Sequence, residues 1–319
     1  MDSNFLYSYV QQFYSEPHRK YHTFKHIKNM ISWLDKHYPN NPSNELYHAI
    51  LFHDVVYNPY DLHNNKKQSC ELYKRYHSEY KYSTDRDKVC YLIMATKNHF
   101  KKDLIGDEFL IVNADLSIFE DKKKILEYER GILFEYQKVP IVDYVKHRIA
   151  FLKRAKNFFG NETLRGKNCQ FLIDYLSNKI YKVGIYAGSF NPFHKGHLNI
   201  VEQAEKVFDK VILAQGFNPE KSKPFELKTK IRQIEIYPGL IIDLFCHEDG
   251  IERYLIRGLR NGFDVNYESM LRSFINDTQE VPVILFLCDK QYEHVSSTLI
   301  RSLQQHNENI ANKYLPEII

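Results

Sequence analysis

From Tyr181 onward the chain alternates short β-type runs, YKVGIYAGS, DKVILAQGF, YLIRGL and VPVILFLC, with helical stretches at Leu198–Phe208 and Leu299–Leu303. Strands that alternate with helices pair in parallel, and the helices cover both faces of the sheet. The first 160 residues carry a different pattern. Apolar residues recur three and four apart around Ile27 and Leu34, Leu46 and Ile50, Val89 and Leu92, and Ile141 and Val145, with turn clusters such as YPNNPSN between them. The expected organisation is therefore two domains. An all-α helical bundle covers 1–160, a linker helix 161–180, and an α/β domain with a parallel sheet 181–319. A length of 319 residues agrees with two domains of about 150 residues each.

Charge narrows the function classes. The net charge of +4 comes from 44 basic and 40 acidic side chains, too balanced to point to nucleic acid. Neither half carries the basic and aromatic stripe of a single-strand binder. The five cysteines are scattered without metal or redox spacing and read as free thiols. The longest apolar run, VPVILFLC, is too short to span a bilayer, and MDSNFLYSYV lacks a signal-type pattern. The expectation is a cytoplasmic protein with small-molecule substrates and no membrane partner; a homo-oligomer stays open.

The stretch GIYAGSFNPFHKGHLNIVEQA places a glycine, a hydroxyl and two histidines where a strand gives way to a helix. In an open α/β sheet ligands bind at the carboxyl ends of strands, and the N–H groups of a helix start attract phosphate. Gly188 lets the backbone approach closely, Ser189 offers a hydroxyl, and His194 and His197 flank the helix start. Donors aimed at an α-phosphate would stabilise the transferring phosphorus. In LIRGLRNGFDVNYE, Arg257 and Arg260 form a fork suited to phosphate oxygens. In VSSTLIR, hydroxyls open a helix, which plain N-capping also explains.

In this order, GSFNPFHKGH, RGLRNGFDVNYE and VSSTLIR resemble the nucleotidyltransferase superfamily, and most closely bacterial phosphopantetheine adenylyltransferases. The resemblance runs from about Tyr181 to Leu315. It implies a Rossmann-like domain that joins ATP and 4′-phosphopantetheine with Mg²⁺, giving dephospho-coenzyme A and pyrophosphate. It implies catalytic roles for His197 and His194. Gly188, Ser189, Phe190, His197, Gly258, Leu259, Arg260, Glu268, Ser296, Ser297 and Thr298 would bind ATP. Ser189, Lys221, Lys223 and Arg257 would bind the acceptor. Departures are Asn191 where the family has Asp, His194 where it commonly has Thr, and Ser222 where it has a lysine. A full HxGH is more typical of nicotinamide or nicotinate mononucleotide adenylyltransferases, which makes a pyridine mononucleotide the alternative acceptor.

The first half has its own constellation. EPHRKYHTFKHI puts His22 and His26 four apart, LFHDVVY supplies His53 and Asp54, ATKNHF His99 and NADLSIF Asp115. Imidazoles and carboxylates converging from several helices suit a divalent metal, which would acidify a bound water. YHxxxHI, FHDxxY and a late ADL resemble the HD-domain superfamily, and more narrowly predicted metal-dependent HD phosphohydrolases, over about Phe13 to Phe158. The resemblance implies His26, His53, Asp54 and Asp115 as metal ligands and His22 as a catalytic proton donor. The relatives carry Asp-Asn-Glu after HD, where this chain has Asn64-Asn65-Lys66. The expected protein is bifunctional, and a silent metal or nucleotide sensor is the other reading of the first half.

Overall fold

The computed structural model describes residues 3–39, 42–216, 227, 229, 231–237, 241–245, 250–262, 264–266, 268–269 and 280–317. The chain divides into two compact units. One comprises 1–136 and 145–178, the other 137–144 and 179–319.

The first unit is helical. Helix Phe24–His37 buries Ile27, Met30 and Leu34, each 0% exposed, spaced so that one face turns to the core. Helix Asn44–Phe52 starts at Ser43, whose Oγ accepts the Leu46 N–H at 3.1 Å, and buries Leu46, Ala49 and Ile50. Its C-cap is His53. Helix Gly106–Asp115 begins at a glycine with φ of +53° and delivers Asp115 at its last position. His26 in the first turn of its helix, His53 at a C-cap and Asp115 at a helix end thus bring three polar residues into the unit's interior.

Helix Leu164–Asn178 corrects one expectation. It is not a linker: Cys169, Leu172 and Leu176 are fully or nearly fully buried, and Asn168 Nδ2 donates to Phe119 O at 2.8 Å. The helix belongs to the first unit.

Among the described residues the second unit holds a five-stranded parallel sheet. Its strands are β1 (Lys182–Gly188), β2 (Lys210–Gly216), β3 (Gln233–Tyr237), β4 (Glu252–Leu259) and β5 (Val283–Leu287). The order is β3-β2-β1-β4-β5. The order reverses between β1 and β4, the place where open α/β sheets leave a crevice for ligands. Strand β3 was not among the expected runs. Its QIEIY sequence is short and half-buried, as suits a sheet edge. Helix Lys195–Ala204 packs Ile200, Val201 and Ala204 into the core with Val211, Leu213 and Ile256.

The segment 137–144 counts with this unit. Gln137 Nε2 donates to Asp209 O at 3.2 Å, and Lys210 Nζ donates to Val139 O at 2.6 Å. Lys210 is 2% exposed, and burial pushes its ammonium down to about 7. Among the described residues no helix is long and apolar enough to cross a membrane.

Candidate functional site

Each unit carries a site. In the second, β1 ends at Gly188, and the chain turns through Ser189 and Phe190 before helix Lys195–Ala204 begins. Phe190 adopts φ of +47°, and its ring is buried against Tyr186, Phe193 and His197. Any contact it makes with a ligand therefore runs through its backbone. A Cβ on Gly188 would lie 2.9 Å from that ring, so this glycine makes room for Phe190.

His194 caps the helix. His197 N–H donates to His194 Nδ1 at 3.3 Å, and His194 N–H donates to His197 Nδ1 at 3.2 Å. The rings stack with centroids 3.6 Å apart. Each Nδ1 accepts, so each neutral ring carries its proton on Nε2. Burial pushes His194 down to about 4, with Arg260 adding to it. Burial, then His194 and Arg260, hold His197 well below the usual histidine range. Both rings are neutral donors at neutral pH.

Both line a cavity of about 300 Å³, with Tyr186, Gly258, Arg260, Glu268, Ser296 and Ser297 also at its wall. Gly258 is needed there, because a Cβ would meet Ile200 at 2.8 Å. Ser296 Oγ caps helix Ser297–His306 by accepting the Leu299 N–H at 3.2 Å. Ser297 Oγ donates to Pro192 O at 3.0 Å, tying that helix start to the β1 loop. Thr298 Oγ1 accepts from Arg301 at 3.1 Å and does not line the cavity. Ser189 is exposed, and Leu259 is in the core.

Arg257 does not present an open fork. Its Nε and Nη2 donate to the two oxygens of Glu268, both at 2.6 Å, and Nη1 donates to Ala187 O at 3.2 Å. Arg260 pairs with Asp264 at 3.1 Å. Lys221 and Lys223 lie outside the described residues. Tyr186, Asp264 and Cys288 also line the cavity and were not expected from sequence, whereas Tyr292, which lines it too, opens the 292–298 loop that the resemblance assigns to the ATP phosphates.

In the helical unit, donor atoms of His26, His53 and Asp115 lie within 4.8 Å of one another. His26 Nε2 is 3.0 Å from Asp115 Oδ1, and His53 Nε2 is 3.8 Å from the same oxygen. His53 Nδ1 donates to Ile50 O at 2.8 Å, which leaves an electron pair on Nε2. That buried Nε2 has no hydrogen-bond partner, although Asp54 Oδ2 is 3.0 Å away. In the neutral ring that electron pair faces two carboxylates, an arrangement a cation between them would satisfy, so this donor set fits a divalent metal. Asp54 stands beside the triad, its other oxygen Oδ1 accepting from Lys66 Nζ at 2.8 Å. Burial pushes the Asp54 carboxyl up, but Lys66, His53 and His22 outweigh it and hold it well below the usual range.

His22 is oriented by a residue absent from the sequence expectation. Its Nδ1 donates to Glu135 Oε2 at 2.6 Å, leaving Nε2 4.0 Å from Asp54 Oδ2. Glu135 is fully buried. Its Oε1 accepts the N–H groups of Lys20, Tyr21 and His22, and Oε2 accepts from Tyr57 at 2.9 Å. Burial pushes Glu135 up, but His22 and these N–H groups bring it down to about 2. For His22, burial lowers the pKa and Glu135 raises it, with a net rise. His99 Nε2 lies 2.7 Å from Asp115 Oδ2. Arg19, 3% exposed, donates to His22 O at 3.2 Å and Asp54 O at 2.7 Å, bracing both.

Residues 185–303 match a family model described as cytidylyltransferase-like. The phosphopantetheine adenylyltransferase of Cytophaga hutchinsonii is 32% identical over 148 residues, covering 42% of this chain and 97% of that protein. The chain belongs to the phosphopantetheine adenylyltransferase family. The relative in Porphyromonas gingivalis is 32% identical over 147 residues, covering 42% of this chain and 94% of that protein. The Leptospira biflexa relative is 28% identical over 151 residues, covering 43% and 92%. Membership in the phosphopantetheine adenylyltransferase family makes the second unit a nucleotidyltransferase of that type. The family model does not reach the helical unit, so the HD-type expectation there is not established by it.

Proposed function

We propose that the second unit transfers AMP from ATP to 4′-phosphopantetheine, giving dephospho-coenzyme A and pyrophosphate. The observation that carries this reading is the pair of Nε2-protonated imidazoles at a helix start, lining a cavity at the sheet's switch point, in a chain of this family. In the transfer, an acceptor phosphate oxygen bonds to the α-phosphorus as the bond to the bridging β-phosphate oxygen breaks. No proton has to move, so alignment and charge stabilisation carry the chemistry. His197 and His194 donate to the α-phosphate. Ser296 and Ser297, at the start of a ten-residue helix, receive the outer phosphates, which enter with Mg²⁺ as part of ATP. Gly188, Ser189, the Phe190 backbone, Gly258, Arg260 and Glu268 border the nucleotide. Arg257, exchanging from Glu268, holds the acceptor phosphate with Ser189, and Lys221 and Lys223 are its further candidates from the sequence.

The test is pyrophosphate release from ATP and Mg²⁺ with 4′-phosphopantetheine or a pyridine mononucleotide as acceptor. Release with phosphopantetheine alone, abolished by His197→Ala, is the expected result. Release only with nicotinamide or nicotinate mononucleotide would replace this acceptor and leave the chemistry.

The helical unit is read as an HD-type metal-dependent phosphohydrolase. The unpartnered His53 Nε2 between Asp54 and Asp115 supports it. His26, His53, Asp54 and Asp115 hold the metal, which when bound supplies an acidified water. Glu135 fixes the His22 ring so that Nε2 can deliver a proton to a leaving group. The Lys66–Asp54 ion pair favours a second reading, a metal or nucleotide sensor without turnover. Metal content and phosphatase assays on the protein, His53→Ala and Asp54→Ala separate the two. Metal-dependent hydrolysis lost in both variants excludes the sensor.

A further inference from the structure

The inorganic arrangement of the helical site can be taken one step beyond the phosphohydrolase reading, on which this step rests. Each carboxylate of the site turns one oxygen inward and has the other capped. Asp54 directs Oδ2 at His53 Nε2 and has Oδ1 held by Lys66 at 2.8 Å. Asp115 directs Oδ1 at His26 and His53 and has Oδ2 held by His99 at 2.7 Å. A carboxylate that bridges two metal ions gives one oxygen to each, and neither Asp54 nor Asp115 has a second oxygen to give. A second divalent ion on Asp54 would also have to displace an ammonium whose side chain is only 11% exposed.

Lys66 is more than a plug. An ammonium has three N–H donors, and Asp54 takes one of them. Two carboxylates and one divalent ion balance, and Glu135 is paired with His22, so Lys66 leaves the site with an excess positive charge. A phosphate group brings oxygens and negative charge to match it.

We propose that the helical site binds a single divalent cation through His26, His53, Asp54 Oδ2 and Asp115 Oδ1, and that Lys66 is its second positive charge, taking a phosphate oxygen of the substrate. The site is thereby selective for phosphorylated compounds over neutral esters.

The test uses the full chain, stripped of metal and free of nucleotide, titrated with Mn²⁺ and followed by calorimetry and electron paramagnetic resonance. The expected result is one equivalent of Mn²⁺ that is lost in His53→Ala, with the uncoupled spectrum of an isolated ion. Inorganic phosphate is then added, and ³¹P relaxation by the bound Mn²⁺ reports only phosphate beside the metal. Lys66→Met should keep one equivalent of Mn²⁺ and bind phosphate at least tenfold more weakly. Lys66→Glu, which removes the cap and adds a carboxylate, should take up a second, spin-coupled Mn²⁺. Two coupled ions in the unmodified protein, or undiminished phosphate relaxation in Lys66→Met, would overturn the proposal while leaving the metal reading intact. Absence of any Mn²⁺ that depends on His53 would overturn both.

Discussion

His194 and His197 stack at 3.6 Å between ring centroids, and each accepts the other's backbone N–H on Nδ1. This reciprocal cap fixes the tautomer that places N–H donors on Nε2. A protonated His194 would lose the acceptor that its own Nδ1 provides, so the cap requires neutral rings. The sign of the pH effect follows. A histidine held down to about 4 when folded and near 6.5 when unfolded binds more protons in the unfolded state between those values. Stability from this cap is complete above pH 6.5 and is lost as pH falls toward 4, on the order of 3 kcal/mol in all. Thermal denaturation of the protein against His194→Asn over pH 4 to 8 checks it. The difference in melting temperature should narrow as the pH falls. Adenylyl transfer should show no histidine titration between pH 6 and 8.

Arg257 meets Glu268 through two 2.6 Å bonds, a fork–fork geometry that only a guanidinium can make. Lysine retains the charge but not the fork. Arg257→Lys should raise KM for the acceptor by about 100-fold, roughly 3 kcal/mol, with kcat changed less than tenfold. Steady-state kinetics in both substrates reads the split. An unchanged acceptor KM with a lowered melting temperature would make Arg257 a purely structural brace.

The sequence makes parts of these sites readable and hides others, for a physical reason. The β1–loop–helix site is continuous, so its strand run, glycine, histidines and helix period all fall within some twenty residues. His26, His53 and Asp115 were readable because each sits in a short, distinctive local pattern. Glu135 was not. It meets His22 across 113 residues of chain, and nothing in ILEYERGILFE separates a buried carboxylate from an exposed one. Its neighbour Glu127 pairs with Lys25 on the surface. Arg19 was hidden the same way, while Tyr57 closes the FHDxxY pattern but gives no sign there that it bonds to Glu135. Lys66 did leave a signal, as a lysine in a stretch expected to be acidic, but its bond to Asp54 Oδ1 emerges only from the fold. The 164–178 helix could have been assigned to the core from Cys169, Leu172 and Leu176, whose spacing forms one buried stripe.

Glu135 gives a third prediction. Its carboxylate is at about 2 when folded, so its contribution is present above about 4.5 and lost as pH falls toward 2. His22 is raised, so its contribution is complete below 6.5 and lost as pH rises through the folded value. The two windows overlap between about pH 4.5 and 6.5. Glu135→Gln, measured by denaturation in a chelator, should destabilise the helical unit by about 3 kcal/mol there, and by less on either side. A difference that stays flat from pH 4.5 upward and fades only toward pH 2 would assign the loss to the three backbone N–H bonds rather than to His22.

The metal site supplies the last prediction. A ligand that binds only the folded state stabilises it by RT ln(1 + [L]/Kd), about 2.7 kcal/mol at a hundredfold excess over Kd. His53 Nε2 is 0% exposed in side chain, without a hydrogen-bond partner and close to two carboxylates, so it gains most from a cation. Chelation should therefore lower the melting temperature of the helical unit, and readdition of Mn²⁺ should restore it. His53→Ala should remove this metal dependence. His53→Asn should also abolish it, because an amide matches the ring's Nδ1 donor but not its Nε2 electron pair. If the melting temperature of the unmodified protein is the same in chelator and in Mn²⁺, the cluster is a structural hydrogen-bond network and holds no metal.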